Sequence, residues 1–186
     1  MFRKTSRLRS FYLSYFSTPA SDRLIYQAVC RHKARRFLEL GIGIGQRAAR
    51  MIEAAARFFP HCEIRYIGID PFEARSAVDG PGVTLKMAHR LLSRTGARIR
   101  LIPGDPSTAL DGSANTLGQV DLIVISSRLD PAHLAKGWLY VPRLLHEESR
   151  VFLERTRPGG RTFLEAIAPS EIQALASLAG DLSRAA

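Results

Sequence analysis

From about residue 21 onward, short apolar runs alternate with stretches in which apolar residues recur every three or four positions. Runs of four to six apolar residues suit buried strands, and the 3.6-residue period suits helices that cover them. Ser21 or Asp22 can cap a helix, and Ile25, Ala28 and Val29 carry its apolar face to about Lys33. A strand over 36–40 then runs into Gly41-Ile42-Gly43-Ile44-Gly45, a tight turn. Ala48, Met51, Ile52, Ala55 and Phe59 predict a helix over 46–59, which Pro60 ends.

The alternation continues. A second strand over 64–69 closes on Asp70-Pro71, and a loop spans 74–83. A helix over 84–94 ends at Gly96, a natural C-terminal cap. A third strand, 98–102, leads to Pro103-Gly104-Asp105-Pro106, followed by a short helix and a polar loop to Gln119. A fourth strand is expected over 120–125, where the run of apolar residues from Leu122 suits a strand buried on both faces. Residues 131–155 read as largely helical with a break near Pro142. Pro158-Gly159-Gly160 turns into a fifth strand, 161–167, and a last helix starts at Ser170.

This order predicts an α/β fold, a Rossmann-like doubly wound sheet of about five strands, mostly or wholly parallel, with helices on both faces. No repeat or linker interrupts it, so residues 21–186 are expected to form one domain behind an arm of residues 1–20. With 46% hydrophobic and 24% charged residues the composition is that of a folded protein. No apolar run approaches the roughly 18–20 residues of a membrane span. Cys30 and Cys62 are too few for a disulfide framework or a multi-cysteine metal site and fit a reducing, cytoplasmic setting. Both read first as small half-buried apolar residues.

The formal charge of +10 is unevenly placed. Residues 1–36 hold nine basic residues against Asp22 alone, a net +8, and the other 150 residues carry +2. Only four of the 27 basic residues are lysine, a skew that a GC-rich genome also produces, so the charge is weak evidence for nucleic acid. The arm mixes basic residues with Phe2, Phe11, Tyr12, Tyr15 and Phe16 and has no acidic residue. A transit peptide, a segment lying on an anionic surface, and an arm packing its aromatics on the domain all fit. The packed arm is the favoured reading. A secretory signal does not fit, because no apolar core follows the charges.

In open parallel sheets ligands bind beyond the carboxyl ends of the strands. There the first strand ends Glu39-Leu40-Gly41-Ile42-Gly43-Ile44-Gly45, the second ends at Asp70, and the third ends in Gly104-Asp105. This pattern resembles the class I S-adenosylmethionine-dependent methyltransferases. Glu39, Gly41, Gly43 and Gly45 match that family's acidic-x-Gly-x-Gly-x-Gly motif, Asp70 its ribose-binding acid, and Asp105 its adenine-side polar residue. The apolar 120–125 strand and the Pro-Gly-Gly turn also match, so the resemblance covers roughly residues 21–170. It implies S-adenosyl-L-methionine as cofactor, with Glu39 receiving its amino-acid end and Phe72 a candidate for stacking on adenine. A dinucleotide fold fits less well: Gln46 stands where G-x-G-x-x-G/A needs a small residue, and Glu39 would repel a pyrophosphate.

Each of these residues also has a structural reading. The glycines could serve only a strand–helix turn, Asp70 a turn, Asp105 a helix cap, and Phe72 the core. The fourth strand ends in Ser126-Ser127 and lacks the Asn/Asp-Pro-Pro-aromatic box of amino-group methyltransferases. It also lacks the acid of metal-dependent O-methyltransferases. Asp130 is a poor substitute, so no metal is expected. His133 is a weak candidate base and Tyr140 a weaker one.

The resemblance therefore implies a methyltransferase, on a small-molecule acceptor by preference. A degenerate cofactor-binding or interaction protein is the alternative, and an RNA methyltransferase gripping nucleic acid with its arm is the less favoured third reading. Only 19 residues follow Ile167, too few for further strands. The fifth strand is therefore expected to be a bare edge, covered by the arm or by a second subunit in a homodimer.

Overall fold

The computed structural model describes residues 7–59, 62–76 and 80–184. Phe2 of the arm, Pro60 and residues 77–79 of the expected 74–83 loop lie outside the described residues. Six strands form one sheet: β1 (Arg36–Leu40), β2 (Arg65–Asp70), β3 (Arg98–Pro103), β4 (Leu122–Ile125), β5 (Arg150–Thr156) and β6 (Thr162–Ile167), in the order β3-β2-β1-β4-β5-β6. β1 to β5 are parallel, and β6 pairs antiparallel with β5. The helices are α1 (Arg7–Tyr15), α2 (Arg23–His32), α3 (Gln46–Ala56), α4 (Leu85–Ser93), α5 (Pro106–Leu117), α6 (Pro131–Gly137) and α7 (Pro169–Arg184).

Successive side chains of a strand point to opposite faces, so each strand feeds two cores. Phe37, Tyr66, Val124 and Phe152 join α2 and α3 on one face. Leu38, Leu40, Ile67, Ile123, Ile125 and Val151 join α5, α6 and α7 on the other. By the same alternation Glu39 points into the first core, beside Gly68 and Val124 on its neighbour strands.

The sheet has six strands, one more than the pattern predicts. Residues 150–156, expected to continue a helix, form β5. A 3-10 turn at Val141–Leu144 and a tight turn, in which the Ser149 N–H donates to His146 O at 3.0 Å, break the helical run. The Val-Phe-Leu sequence that follows suits a strand with both faces covered. The segment expected as the fifth strand is β6. Only residues 157–161 separate it from β5, which suffices for a hairpin but not for a parallel crossover. That segment is still the edge strand of the sheet, and the 3-10 turn at Ala20–Asp22, where the arm joins the domain, lies against it.

The arm packs on the domain, but by the opposite face from the one expected. Ser10, Leu13, Ser14 and Ser17 are buried, while Phe11, Tyr12, Tyr15 and Phe16 are exposed. Asp22 stands at the N-cap position of α2, yet its side chain makes no cap bond. It turns instead into the interior.

Candidate cofactor site

β1 and β4 are adjacent, but the chain leaves them in opposite directions across the sheet, so the turn after β1 lies at a topological switch point. Gly41 there adopts φ +84°, and a Cβ on it would stand 2.7 Å from the Ser126 Cβ at the end of β4. Only glycine suits both the backbone and the close approach. The turn is tied to β2 by Asp70, whose Oδ2 accepts the Gly43 N–H at 3.1 Å and whose Oδ1 accepts the Phe72 N–H at 2.9 Å. The Arg75 guanidinium also lies directly on Asp70 Oδ2.

Three of the turn's N–H groups have acceptors on β2 or in the turn itself. Gly41 donates to Ile69 O, Gly43 to Asp70 and Gly45 to Ile42 O.

Glu39 is fully buried. Its Oε1 accepts from Arg47 Nε at 2.7 Å and its Oε2 from the Tyr66 hydroxyl at 2.6 Å. Arg47, in the first turn of α3, also meets Glu154 Oε1 at 3.1 Å and Asp22 Oδ1 at 3.5 Å. Three carboxylates from β1, β5 and the segment before α2 thus surround one guanidinium. Burial pushes the Glu39 and Asp22 carboxyls above their usual range, partly opposed by Arg47. For Glu154 the same burial is outweighed by Arg47 and by Ser127, and its carboxyl is held low. Burial would lower Arg47, but its three acids outweigh that and raise it.

Glu154 Oε2 also accepts from Ser126 Oγ at 3.2 Å and from the Ser127 N–H and Oγ at 3.1 and 3.0 Å. A carboxylate therefore reaches the end of β4 after all, supplied from β5. Arg47, Tyr66, Arg75 and Glu154 were all missed in the sequence. Tyr66 alone carried a usable signal: it shares a strand face with Gly68, the β2 partner of Glu39.

Of the residues singled out, Glu39, the three glycines and Asp70 come together. Phe72 follows Asp70 with φ +49° and packs with Ile42 and Ala88 rather than presenting a ring. Asp105 caps α5, accepting from the Thr108 N–H at 3.0 Å and the Ser107 hydroxyl at 2.6 Å. These bonds outweigh its partial burial and hold its carboxyl low. His133 is exposed on the first turn of α6, and the Tyr140 hydroxyl donates to Asp111 at 2.6 Å.

No family model matches the chain, and no curated protein matches its sequence. Solved structures do match. The O-methyltransferase TomG of Streptomyces achromogenes, in complex with SAM, has a TM-score of 0.57 at 12% identity over 96% of this chain and 78% of its own. A Bacillus cereus O-methyltransferase in complex with SAH has a TM-score of 0.55 at 13% identity, over 80% of this chain and 66% of its own. Aeropyrum pernix fibrillarin with natively bound S-adenosyl-L-methionine has a TM-score of 0.54 at 17% identity, over 80% of this chain and 57% of its own. The chain has the class I methyltransferase fold. It spans little more than half the length of the fibrillarin.

The methyltransferase fold invites a test of the cradle against a nucleoside-sized donor. The residues fit chemically: a glycine turn, Asp70 beside it, and acids below that suit a cation. The space does not yet fit. The cavity between Gly41, Gly43, Pro71, Arg75, Ser126, Arg128 and Leu129 measures about 10 Å³. Small-molecule sites usually offer roughly 300–1,000 Å³. Arg75 and Arg128 are the flexible side chains in its wall, and the first sits on Asp70 itself.

Proposed function

We propose that this protein is an S-adenosylmethionine-dependent methyltransferase acting on a small-molecule acceptor without a metal. The observation that carries the reading is the pairing of Asp70 with the Gly41–Gly45 turn at the switch point of this sheet. When bound, the cofactor supplies an electrophilic methyl group on a sulfonium. Asp70 would accept the ribose hydroxyls once Arg75 swings away. The buried cluster of Asp22, Glu39 and Glu154 around Arg47 holds more acid than base, which favours the donor's cationic end. Glu154 holds the Ser126-Ser127 turn where the acceptor would approach. Asp130 accepts the Ala132 N–H at 2.8 Å as the cap of α6, so it is poorly placed to serve as a metal ligand. The small-molecule assignment is supported by the matching O-methyltransferases and by the missing box after β4.

A second reading is a protein that keeps the cradle but has lost turnover. The arginine on Asp70 and the small cavity favour it. Titration calorimetry with S-adenosylhomocysteine tests both readings. Arg75→Ala is expected to tighten binding about tenfold, because the competent conformer no longer competes with the ion pair. Asp70→Ala should abolish it. Binding with turnover on an acceptor panel supports the first reading, and binding without turnover the second. Failure of both wild type and Arg75→Ala to bind at millimolar ligand overturns both.

A further inference from the structure

The apolar stripe of α1 faces outward. Leu8, Phe11, Tyr12, Tyr15 and Phe16 recur at i, i+3, i+4, i+7 and i+8, the spacing by which a helix normally buries itself on a core. Here these residues are exposed, Leu8 at 80%, Phe11 at 56% and Phe16 at 59%. The opposite face, Ser10, Leu13, Ser14 and Ser17, is the buried one. That inward face is fastened by polar contacts. The Ser17 hydroxyl donates to Leu13 O at 2.6 Å, Gln27 Nε2 to Ser14 O at 2.9 Å and Arg23 Nε to Ser17 O at 2.8 Å. The rings cluster on each other outside, Phe11 lying 4.9 Å from Tyr15 and 5.9 Å from Phe16 between centroids, tilted in both pairs.

The surroundings are cationic. An open groove of about 700 Å³ runs beside α1, lined by Phe11, Tyr15, Phe58, Arg31 and Arg57 and, among the described residues, by no acidic one. Arg9 lies over the Tyr12 ring but is paired with Glu53 at 3.0 Å, so the charge of the groove rests on Arg31 and Arg57. Asp22, the one acid among the first 36 residues, is buried against Arg47 and does not offset this charge at the surface.

We propose that α1 docks the protein on an anionic lipid bilayer, its Leu8-to-Phe16 stripe in the interface and Arg31 and Arg57 on the headgroups. An outward apolar helix face flanked by arginine is what such a surface binds. Aromatic rings with a polar tip favour the headgroup level. Leu8 and the mutually tilted rings suit hydrocarbon better than the parallel stacking of nucleobases. A second copy would bring two net-positive segments together, whereas an anionic bilayer complements them. The assignment is independent of the cofactor reading, since none of these residues lines the glycine turn.

The test is co-sedimentation of the full chain with vesicles of phosphatidylcholine alone or with phosphatidylglycerol. Binding is expected only to the anionic vesicles. The double variant F11S/F16S should weaken it at least tenfold, and R31E/R57E should remove its dependence on anionic lipid. Phe11, Phe16 and Arg31 are exposed and Arg57 is half-buried, so circular dichroism and the melting temperature of F11S/F16S should match wild type and serve as the folding control for R31E/R57E. The proposal is overturned if wild type ignores anionic vesicles or if F11S/F16S binds them unchanged. It is equally overturned if F11S/F16S abolishes only binding to single-stranded RNA or only self-association.

Discussion

Two regions of this molecule invert the usual arrangement in opposite ways. Beneath the glycine turn, charges are inside: Glu39, Asp22, Glu154 and Arg47 lie in or at the edge of the core. On α1, rings are outside while serines are buried. The first inversion costs desolvation and is tolerated because nearly every oxygen has a partner. The second gives up the hydrophobic gain of an apolar stripe, and nothing within the described residues recovers it. The internal departure lies beneath the proposed cofactor cradle. The external one lies on the proposed docking face.

Removing the central cation breaks the first half of that comparison most severely. Arg47→Met leaves three carboxylates around an apolar side chain and should cost about 3–5 kcal/mol, read by urea denaturation. A loss below about 1 kcal/mol would mean that water, not Arg47, compensates the acids.

The second half is sharpened on α1 itself. Leu13→Ala, on the buried face, should cost about 2–5 kcal/mol, whereas Phe11→Ala, on the exposed face, should stay within about 0.5 kcal/mol. Equal costs would place the rings against the protein in solution.

A subtler probe is Tyr66→Phe, which strips Glu39 Oε2 of its donor and should cost about 1–3 kcal/mol. The effect should shrink at low pH, where Glu39 is neutral in both folded and unfolded chains.

The smallest effect concerns a surface-facing acid. Asp121 accepts the Arg35 and Arg36 N–H groups at 2.8 and 3.0 Å and meets His146 at 3.1 Å. Against the effect of burial, these bonds hold its carboxyl below the usual range. Its contribution is therefore complete above the ordinary aspartate pKa and drains away as pH falls through the lower folded value. Glu154, also held low, behaves alike. Glu39 and Asp22, held high, have the opposite sign: their contribution is complete below the ordinary carboxylate pKa and is lost as pH rises from there through their raised folded values. Asp121→Asn should flatten the acid limb of a stability–pH curve and leave the rest in place.

Much of the fold was legible in the chain. The glycine turn, Asp70-Pro71 and the apolar 122–125 strand each announce themselves through local backbone or burial requirements. β5 was hidden because Glu154, Arg155 and the preceding charges read as an exposed helix face, and the turn at 146–149 has no proline or glycine. Missing β5 also made β6 look parallel. At the site, the motif residues were readable but their partners were not. Arg47 sits on a helix where arginine is normally a solvent residue. Glu154 sits on a strand that the pattern did not show.

By itself the sequence determined the alternation of strands and helices, the switch-point turn and the acids that end β1 and β2. Those follow from periods and turn geometry within a few residues of chain. Only the tertiary structure decided that Glu39 is enclosed by Arg47 and Tyr66, that Arg75 lies on Asp70, and which face of α1 is buried. Such outcomes depend on which distant side chains share one low-dielectric space, and the local pattern of α1 pointed to the wrong face. A helix with two usable faces buries the one its neighbours can fit, and here α2 accepts small serines in close contact where rings would hold it away.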